Sequence, residues 1–172
     1  MILDLREFET FPAHTVLKST PDDIRLEYES LVGTKGIECR LDIQSAGEEF
    51  FCQGEVTAKA VVTCARCLTD FEADLTNSAD FIVCTQETYD NRKDAIDDED
   101  YVLLKGTDLR ADISDIVRQT IILALSMKPL CSESCKGLCP QCGANLNERT
   151  CGCKIEHMDA RWDDLKRLSG RG

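Results

Sequence analysis

Eight of the eleven cysteines in this 172-residue chain lie in four close pairs. The pairs are Cys64/Cys67, Cys131/Cys135, Cys139/Cys142 and Cys151/Cys153. Two thiolates a few residues apart on a tight turn can bind one metal ion at about 2.3 Å, and structural zinc takes four such ligands. Two pairs therefore make one site, and we expect Zn²⁺ as the cofactor, with one or two ions per chain.

One expected site is local in sequence, and its ligands are Cys139, Cys142, Cys151 and Cys153. Gly143 directly follows the first of these pairs, and glycine accepts the positive φ that turns backbone amides toward sulfur. The connecting loop 144–150 is short, so its closure costs little entropy. Segment 128–157 has few large apolar residues, so we expect the metal to be structural and to supply its folding energy.

The other expected site combines distant parts of the chain, and its ligands are Cys64, Cys67, Cys131 and Cys135. Spacing alone does not determine a long-range pairing. One alternative is a single metal with the other cysteines free, and another joins Cys131/Cys135 to Cys139/Cys142. Sulfur ligands would also suit an iron–sulfur cluster. Three cysteines stand alone on predicted strands and are expected to be buried, inert thiols, namely Cys39, Cys52 and Cys84.

The sequence does not indicate an enzyme. The chain has two histidines, His14 and His157, and neither lies near a nucleophile or a paired carboxylate in sequence. It contains no phosphate-binding glycine loop and no serine elbow. A redox role for Cys64/Cys67 would need the first cysteine at a helix N-terminus, whereas the following residues lead into a strand pattern. We expect neither catalytic residues nor a small-molecule substrate.

The elements that must position the cysteines are mainly strands. Apolar and polar residues alternate in 24–28, 37–43, 55–62 and 71–75, and a period of two indicates half-buried strands. Such alternation is typical of antiparallel sheets. The expected fold class is α+β, with an antiparallel curved sheet or open barrel covered by a helix, a C-terminal cysteine-rich zinc module and a short terminal helix.

Helical periodicity completes this architecture. Apolar residues recur at helical spacing over 112–126, which predicts the helix that covers the sheet, with Asp112 as its N-cap. A second, short helix is predicted at 159–168. These elements divide the chain into a β body with its covering helix, 1–127, and a cysteine-rich zinc-binding module with a C-terminal helix, 128–172.

The net charge of -12 is unevenly spread. Residues 128–172 contain eight Lys/Arg against six Asp/Glu, or +2, which leaves -14 for residues 1–127. The acidic part repels RNA phosphates and suits a basic partner protein, although it equally serves solubility. The candidate contacts to RNA or a partner are Arg66, Lys136, Arg149, Lys154, Arg161, Lys166 and Arg167. Interleaved acidic residues in 159–164 fit a solvated helix face equally well.

The N-terminal sequence predicts a cytoplasmic protein. Acidic residues occur from Asp4 onward without a long apolar run, which argues against a secretory signal. The apolar run 121–125 is far shorter than the roughly 20 residues that span a bilayer. In a reducing compartment, clustered cysteines are better explained as metal ligands than as disulfides.

The cysteine motifs belong to a longer pattern. Its segments are Val62-Thr-Cys-Ala-Arg-Cys-Leu-Thr-Asp-Phe71, the helix 112–125, Pro129-Leu-Cys131, Cys135-Lys-Gly-Leu-Cys-Pro-Gln-Cys-Gly143, Asn145-Leu-Asn147, Cys151-Gly-Cys153 and Asp159-Ala-Arg161. The pattern resembles the YceD family over residues 36–168. That family is associated with accumulation of large-subunit ribosomal RNA in bacteria and plastids, and no catalytic activity is established for it. The resemblance implies a non-enzymatic ribosome biogenesis factor.

The resemblance leaves the binding partner open. We expect either a basic ribosomal protein, bound by the acidic residues 1–127, or large-subunit precursor ribosomal RNA. The alternatives are a zinc-ribbon protein that binds nucleic acid through its basic tail and, less favoured, a CxxC thiol oxidoreductase.

Overall fold

The computed structural model describes residues 1–28, 31–91, 101–105 and 108–153, and in these residues strands dominate and helices are few. The strands are β1 (Ile2–Asp4), β2 (Ala13–Ser19), β3 (Leu31–Ala46), β4 (Glu49–Thr63), β5 (Asp70–Cys84), β6 (Tyr101–Leu103) and β7 (Arg110–Asp112). β1 and β7 form a small antiparallel sheet. The large sheet has the order β2-β3-β4-β5-β6, with β2 and β6 at its two edges, so it is open.

Three of the strand predictions are confirmed. Residues 37–43 lie in β3, 55–62 lie in β4, and 71–75 lie in β5. Their apolar positions face the core because a strand directs alternate side chains to one face. β2 to β5 pair antiparallel, as predicted, whereas β6 adds to β5 in parallel, which the sequence did not indicate. The curvature of the sheet stays a prediction.

The strand predicted at 24–28 is wrong. These residues form a turn followed by an irregular segment, although Ile24 and Leu26 are buried as the alternation suggested. The cause is local, because the Asp23 carboxylate accepts hydrogen bonds from the backbone N–H of Thr20 at 3.0 Å and from its hydroxyl at 2.7 Å. Such side-chain bonds to nearby backbone compete with strand formation.

Two α-helices accompany the sheet in the described residues. They are α1 (Gln86–Asp90) and α2 (Ser114–Ala124). α2 lies within the predicted range 112–126, and it contacts β5 and β4. Its side chains Val117 and Ile121 join the core formed by the strands. The helix is therefore anchored to the two strands whose connecting loop carries Cys64 and Cys67.

The N-cap prediction for α2 is wrong by one residue. Ile113 occupies the N-cap position and makes no side-chain cap hydrogen bond. Asp112 instead accepts hydrogen bonds from the backbone N–H and the hydroxyl of Ser114, at 3.1 and 2.6 Å. The Asp112 carboxylate therefore still accepts a hydrogen bond from an N–H of the first turn, but Asp112 lies one residue before the N-cap.

Neither α1 nor α2, the two α-helices of the described residues, has the length and hydrophobicity of a membrane-spanning segment. The helix predicted at 159–168 lies outside the described residues. The division of the chain into 1–127 and 128–172 stays a prediction.

Candidate metal centres

The loop 64–69 between β4 and β5, here named the hairpin knuckle, presents Cys64 and Cys67. Leu68 has a φ of 57° and donates its N–H to the carbonyl of Cys64 at 3.0 Å. The N–H of Cys64 donates to the carbonyl of Thr69, also at 3.0 Å. These bonds close a tight turn in which two thiols three residues apart reach a common point.

The loop 139–144, here named the local knuckle, repeats this geometry. Gly143 has a φ of 69° and donates its N–H to the carbonyl of Cys139 at 2.9 Å. The N–H of Cys139 donates to the carbonyl of Ala144 at 2.8 Å. The same Cys-x-x-Cys turn therefore occurs twice, with Leu68 of the hairpin knuckle in the position that Gly143 holds here.

Each knuckle is completed by a second cysteine pair. The hairpin cluster comprises Cys64, Cys67, Cys131 and Cys135. The local cluster comprises Cys139, Cys142, Cys151 and Cys153. Within each cluster, the four sulfurs all lie within 4.8 Å of one another. The sulfurs are therefore not arranged in the alternative partition that joins Cys131/Cys135 to Cys139/Cys142.

The spacing of the sulfurs fits a single tetrahedral ion. Cys64 Sγ lies 3.9 Å from Cys135 Sγ, and Cys67 Sγ lies 3.6 Å from Cys131 Sγ. Four sulfurs at about 2.3 Å from a tetrahedral zinc ion are roughly 3.8 Å from one another. The donor set and its spacing are thus those of a zinc site, and either cluster could hold a metal ion. Zinc as the bound metal stays a prediction.

Backbone amides stabilise one thiolate in each cluster. Hydrogen bonding by the backbone N–H of Cys131 is the main cause that lowers the pKa of Cys64 to about 6. The backbone N–H of Cys142 has the same effect on Cys139, whose pKa is lowered to about 6. The thiolate is the form that binds metal, so the fold prepares a ligand in each cluster.

In each cluster, one other thiol resists ionisation because of its sulfur neighbours. Hydrogen bonding with Cys67 is the main cause that raises the pKa of Cys131 to about 12. Hydrogen bonding with Cys142 likewise raises the pKa of Cys153 to about 12. Four thiolates cannot share so small a space without a positive charge among them. A divalent cation would supply that charge.

Arg66 has a contact that the sequence did not predict. Its Nη1 donates to the carbonyl of Cys135 at 3.0 Å and to that of Glu133 at 3.4 Å. This candidate for RNA or partner contact therefore also ties the hairpin knuckle to the loop that carries the other cysteine pair. Lys136 and Arg149 are exposed beside the clusters. The remaining candidates lie outside the described residues, namely Lys154, Arg161, Lys166 and Arg167.

Asn147 was named in the sequence only as part of the family pattern, and the structure gives it a role. Its Nδ2 donates to Cys135 Sγ at 3.3 Å, and its Oδ1 accepts the backbone N–H of Lys136 at 2.8 Å. Asparagine side chains often bond nearby backbone in tight turns. The two asparagines between the cysteine pairs, Asn145 and Asn147, indicated a tight turn but not which sulfur it would contact.

The three single cysteines are buried, as predicted. Burial raises the pKa of Cys39 to about 11 and that of Cys52 to about 12. A thiol with so high a pKa is protonated at neutral pH and reacts poorly. Cys39 and Cys52 are therefore core side chains.

The chain matches one family model and is similar to uncharacterized mycobacterial proteins. The family model described as "Large ribosomal RNA subunit accumulation protein YceD" matches residues 52–169. An uncharacterized protein of Mycobacterium tuberculosis is 29% identical over 160 residues, which cover 93% of this chain and 74% of the relative. The uncharacterized protein of Mycobacterium leprae is 26% identical over 150 residues, covering 86% and 67%.

A plant relative matches a shorter stretch. The chloroplastic "Large ribosomal RNA subunit accumulation protein YCED homolog 1" of Arabidopsis thaliana is 40% identical over 57 residues. That stretch covers 33% of this chain and 18% of the plant protein. No solved structure matches the chain significantly.

Proposed function

Because the chain belongs to the YceD family of large ribosomal RNA subunit accumulation proteins, we propose that it is a ribosome biogenesis factor that supports accumulation of large-subunit ribosomal RNA. The supporting observation is the family match over 52–169, which includes all eight clustered cysteines. Relatives in Arabidopsis thaliana and Zea mays carry this role in their names.

We propose that both clusters bind Zn²⁺ and that neither is catalytic. Four protein sulfurs fill a tetrahedral ion completely and leave no position for water or substrate, which is typical of structural zinc. The close spacing of the sulfurs favours one ion over a polynuclear iron–sulfur cluster, whose ligands must surround several atoms. Zinc in the hairpin cluster would tie the β4–β5 hairpin to the segment that follows α2.

We propose a basic ribosomal protein as the partner, met in the cytoplasm during large-subunit assembly. Support comes from the charge of -14 on residues 1–127. Opposite charges speed encounter and are screened by salt. The partner should therefore co-purify at low ionic strength and be released as the salt concentration rises. Failure of any basic ribosomal protein to co-purify at low salt would contradict this part of the proposal.

A second candidate partner is precursor ribosomal RNA. It is favoured by the exposed Lys136 and Arg149 beside the clusters and by the +2 charge of residues 128–172. RNA affinity should then fall with salt and with Lys166→Ala/Arg167→Ala. Lys18→Ala/Lys59→Ala, at exposed positions of β2 and β4, is the matched control, because it also removes two positive charges, in this case from the sheet. Equal effects of the variants would indicate nonspecific binding.

The proposal is tested by depleting the protein in its own host and measuring the ratio of large-subunit to small-subunit ribosomal RNA. We expect the ratio to fall and the wild-type chain to restore it. A Cys67→Ser/Cys135→Ser chain should restore it poorly if the metal module is required. An unchanged ratio after depletion would contradict a role in large-subunit biogenesis.

A further inference from the structure

The segment 145–147 lies within one cluster in sequence but contacts the other. Cys142 precedes it and Cys151 follows it, and both belong to the local cluster. Its hydrogen bond to sulfur, however, goes to the hairpin cluster, where Asn147 Nδ2 donates to Cys135 Sγ at 3.3 Å. The ligands of one cluster therefore flank the residue that supports a ligand of the other.

Asn147 is held in place by its neighbours. Asn145 Oδ1 accepts hydrogen bonds from the backbone N–H of Asn147 at 3.1 Å and from its Nδ2 at 2.9 Å. Asn145 Nδ2 donates to Thr69 Oγ1 of the hairpin knuckle at 3.4 Å. The segment thus touches the hairpin cluster at a ligand and at the loop that carries the other ligand pair.

The backbone of the two regions is also paired. Leu146 donates its N–H to the carbonyl of Gly137 at 2.9 Å, and Leu138 donates to the carbonyl of Arg66 at 3.1 Å. Leu138 and Asn145 form an isolated antiparallel bridge. Backbone hydrogen bonds therefore join three segments, namely the hairpin knuckle, residues 137–138 and residues 145–147. Displacement of one segment would disturb the other two.

An N–H donor to a metal-bound thiolate orients the ligand, and removing such a partner typically lowers metal affinity by about 10–100-fold. The loop 144–150 is short and mostly polar, so it has little apolar surface with which to order itself. A metal ion shared by the local cluster would fix both ends of this loop. Fixing the loop would hold Asn147 in the position from which it donates to Cys135.

We infer that the two clusters bind metal cooperatively, and that Asn147 is the positioning residue through which the local cluster strengthens the hairpin cluster. This inference rests on the proposed binding of metal by both clusters. By thermodynamic linkage, the hairpin cluster must raise the affinity of the local cluster by the same factor. At equilibrium, the singly loaded species should then be less populated than independent binding would give.

The test is an anaerobic titration of the full-length, metal-free, reduced chain with Co²⁺, whose thiolate charge-transfer absorption reports four-sulfur binding. Cys151→Ser/Cys153→Ser removes the local cluster, and we expect the hairpin cluster to bind Co²⁺ about 10-fold or more weakly. Asn147→Ala should weaken the hairpin cluster similarly while all eight cysteines remain. Ser134→Ala is the control, because its hydroxyl bonds that of Ser132 in the same ligand loop.

The decisive comparison places Asn147→Ala in the Cys151→Ser/Cys153→Ser background. Cooperative binding through Asn147 predicts little further loss there, because the loop is already unfixed. An equal loss in both backgrounds would show that Asn147 supports Cys135 only locally, and it would overturn the inference.

Two further results separate this inference from the metal proposal. Two Co²⁺ ions bound independently by the wild-type chain would overturn the cooperativity and leave the metal centres standing. Absence of Co²⁺ binding would overturn both. Asn147→Asp keeps the acceptor for the Lys136 N–H but removes the donor to sulfur, so it should weaken the hairpin cluster at least as much as Asn147→Ala.

Discussion

The hairpin knuckle and the local knuckle have the same backbone geometry but different supports. The hairpin knuckle is flanked by β4 and β5, which are paired along their length and contribute to the core. In its cluster, all cysteines except Cys131 are buried. The local knuckle has no long strand on either side within the described residues, and only Cys139 of its cluster is buried. The first is positioned by apolar burial, whereas the second has little apolar burial to position it, so we expect it to depend more on a bound metal.

The largest effect should come from removing two of the four cysteines of either cluster. Structural zinc contributes about 10–16 kcal/mol to small modules. Cys64→Ser/Cys67→Ser should release the whole segment 128–153 from the hairpin, whereas Cys151→Ser/Cys153→Ser should release mainly the loop 144–150. Limited proteolysis with mass mapping of the fragments measures the difference. Identical cleavage patterns in the two variants would contradict the distinction between the clusters.

Chelation should remove the two metals at different rates. Cys142 is exposed, and Cys151 and Cys153 are partly exposed, so a chelator reaches the local cluster more easily. A chromogenic zinc chelator should record a fast and a slow phase, and Cys151→Ser/Cys153→Ser should lack the fast one. The far-UV circular dichroism of the strands should persist after full removal, since apolar packing holds the sheet. Loss of the strand signal together with zinc would show that the sheet also depends on metal.

Leu68 of the hairpin knuckle and Gly143 of the local knuckle both have a positive φ. Exchanging the residue types at these two positions should change the free energy of unfolding in opposite directions. A non-glycine residue in this conformation costs about 1–2 kcal/mol, so Gly143→Leu should lower the free energy of unfolding. Leu68 is 65% exposed, so Leu68→Gly loses little packing and should raise it. The greater entropy of glycine in the unfolded chain offsets about 0.5–1 kcal/mol of this strain in both variants, so the net decrease and the net increase should be of similar size.

Thermal unfolding of the zinc-loaded variants measures both changes. Destabilisation by Leu68→Gly would contradict the equivalence of the two knuckles, because it would mean that Leu68 has a role in packing that Gly143 lacks.

The smallest effect is expected for Arg66, whose position in the local knuckle is held by an uncharged residue, Gln141. Arg66→Ala removes two hydrogen bonds to backbone carbonyls at an exposed site, so we expect a decrease in Tm of about 2–4 °C at most. Arg66→Lys should behave similarly, because a lysine does not reproduce the planar fork. If Arg66→Ala lowered RNA affinity while its Tm stayed within this range, Arg66 would also contact RNA.

The sequence predicted elements whose pattern is long. β3, β4 and β5 have 15 or 16 residues each, so their alternation is unmistakable, whereas β1, β6 and β7 have three residues each and carry no pattern. The segment 24–28 alternates like a strand because its apolar side chains, Ile24 and Leu26, also reach the core. Burial thus accounts for the alternation of apolar and polar residues in this segment, whereas the hydrogen bonds of Asp23 account for its non-strand backbone conformation.

The two clusters also show that local sequence patterns predict local structure better than tertiary contacts. The local set follows from short spacing, because few conformations separate its two pairs. The hairpin set joins residues 64–67 to 131–135, and its geometry depends on how α2 returns the chain to the β4–β5 hairpin. Asn147 was missed because its bond to Cys135 depends on this same tertiary approach.

The most direct test is native mass spectrometry of the full-length chain purified anaerobically without added metal. Two metal centres predict a mass increase of two zinc ions per chain, with all eleven thiols reduced. A metal-free chain, a single bound ion, or disulfides within either group of four would contradict the proposal that each cluster is a zinc site.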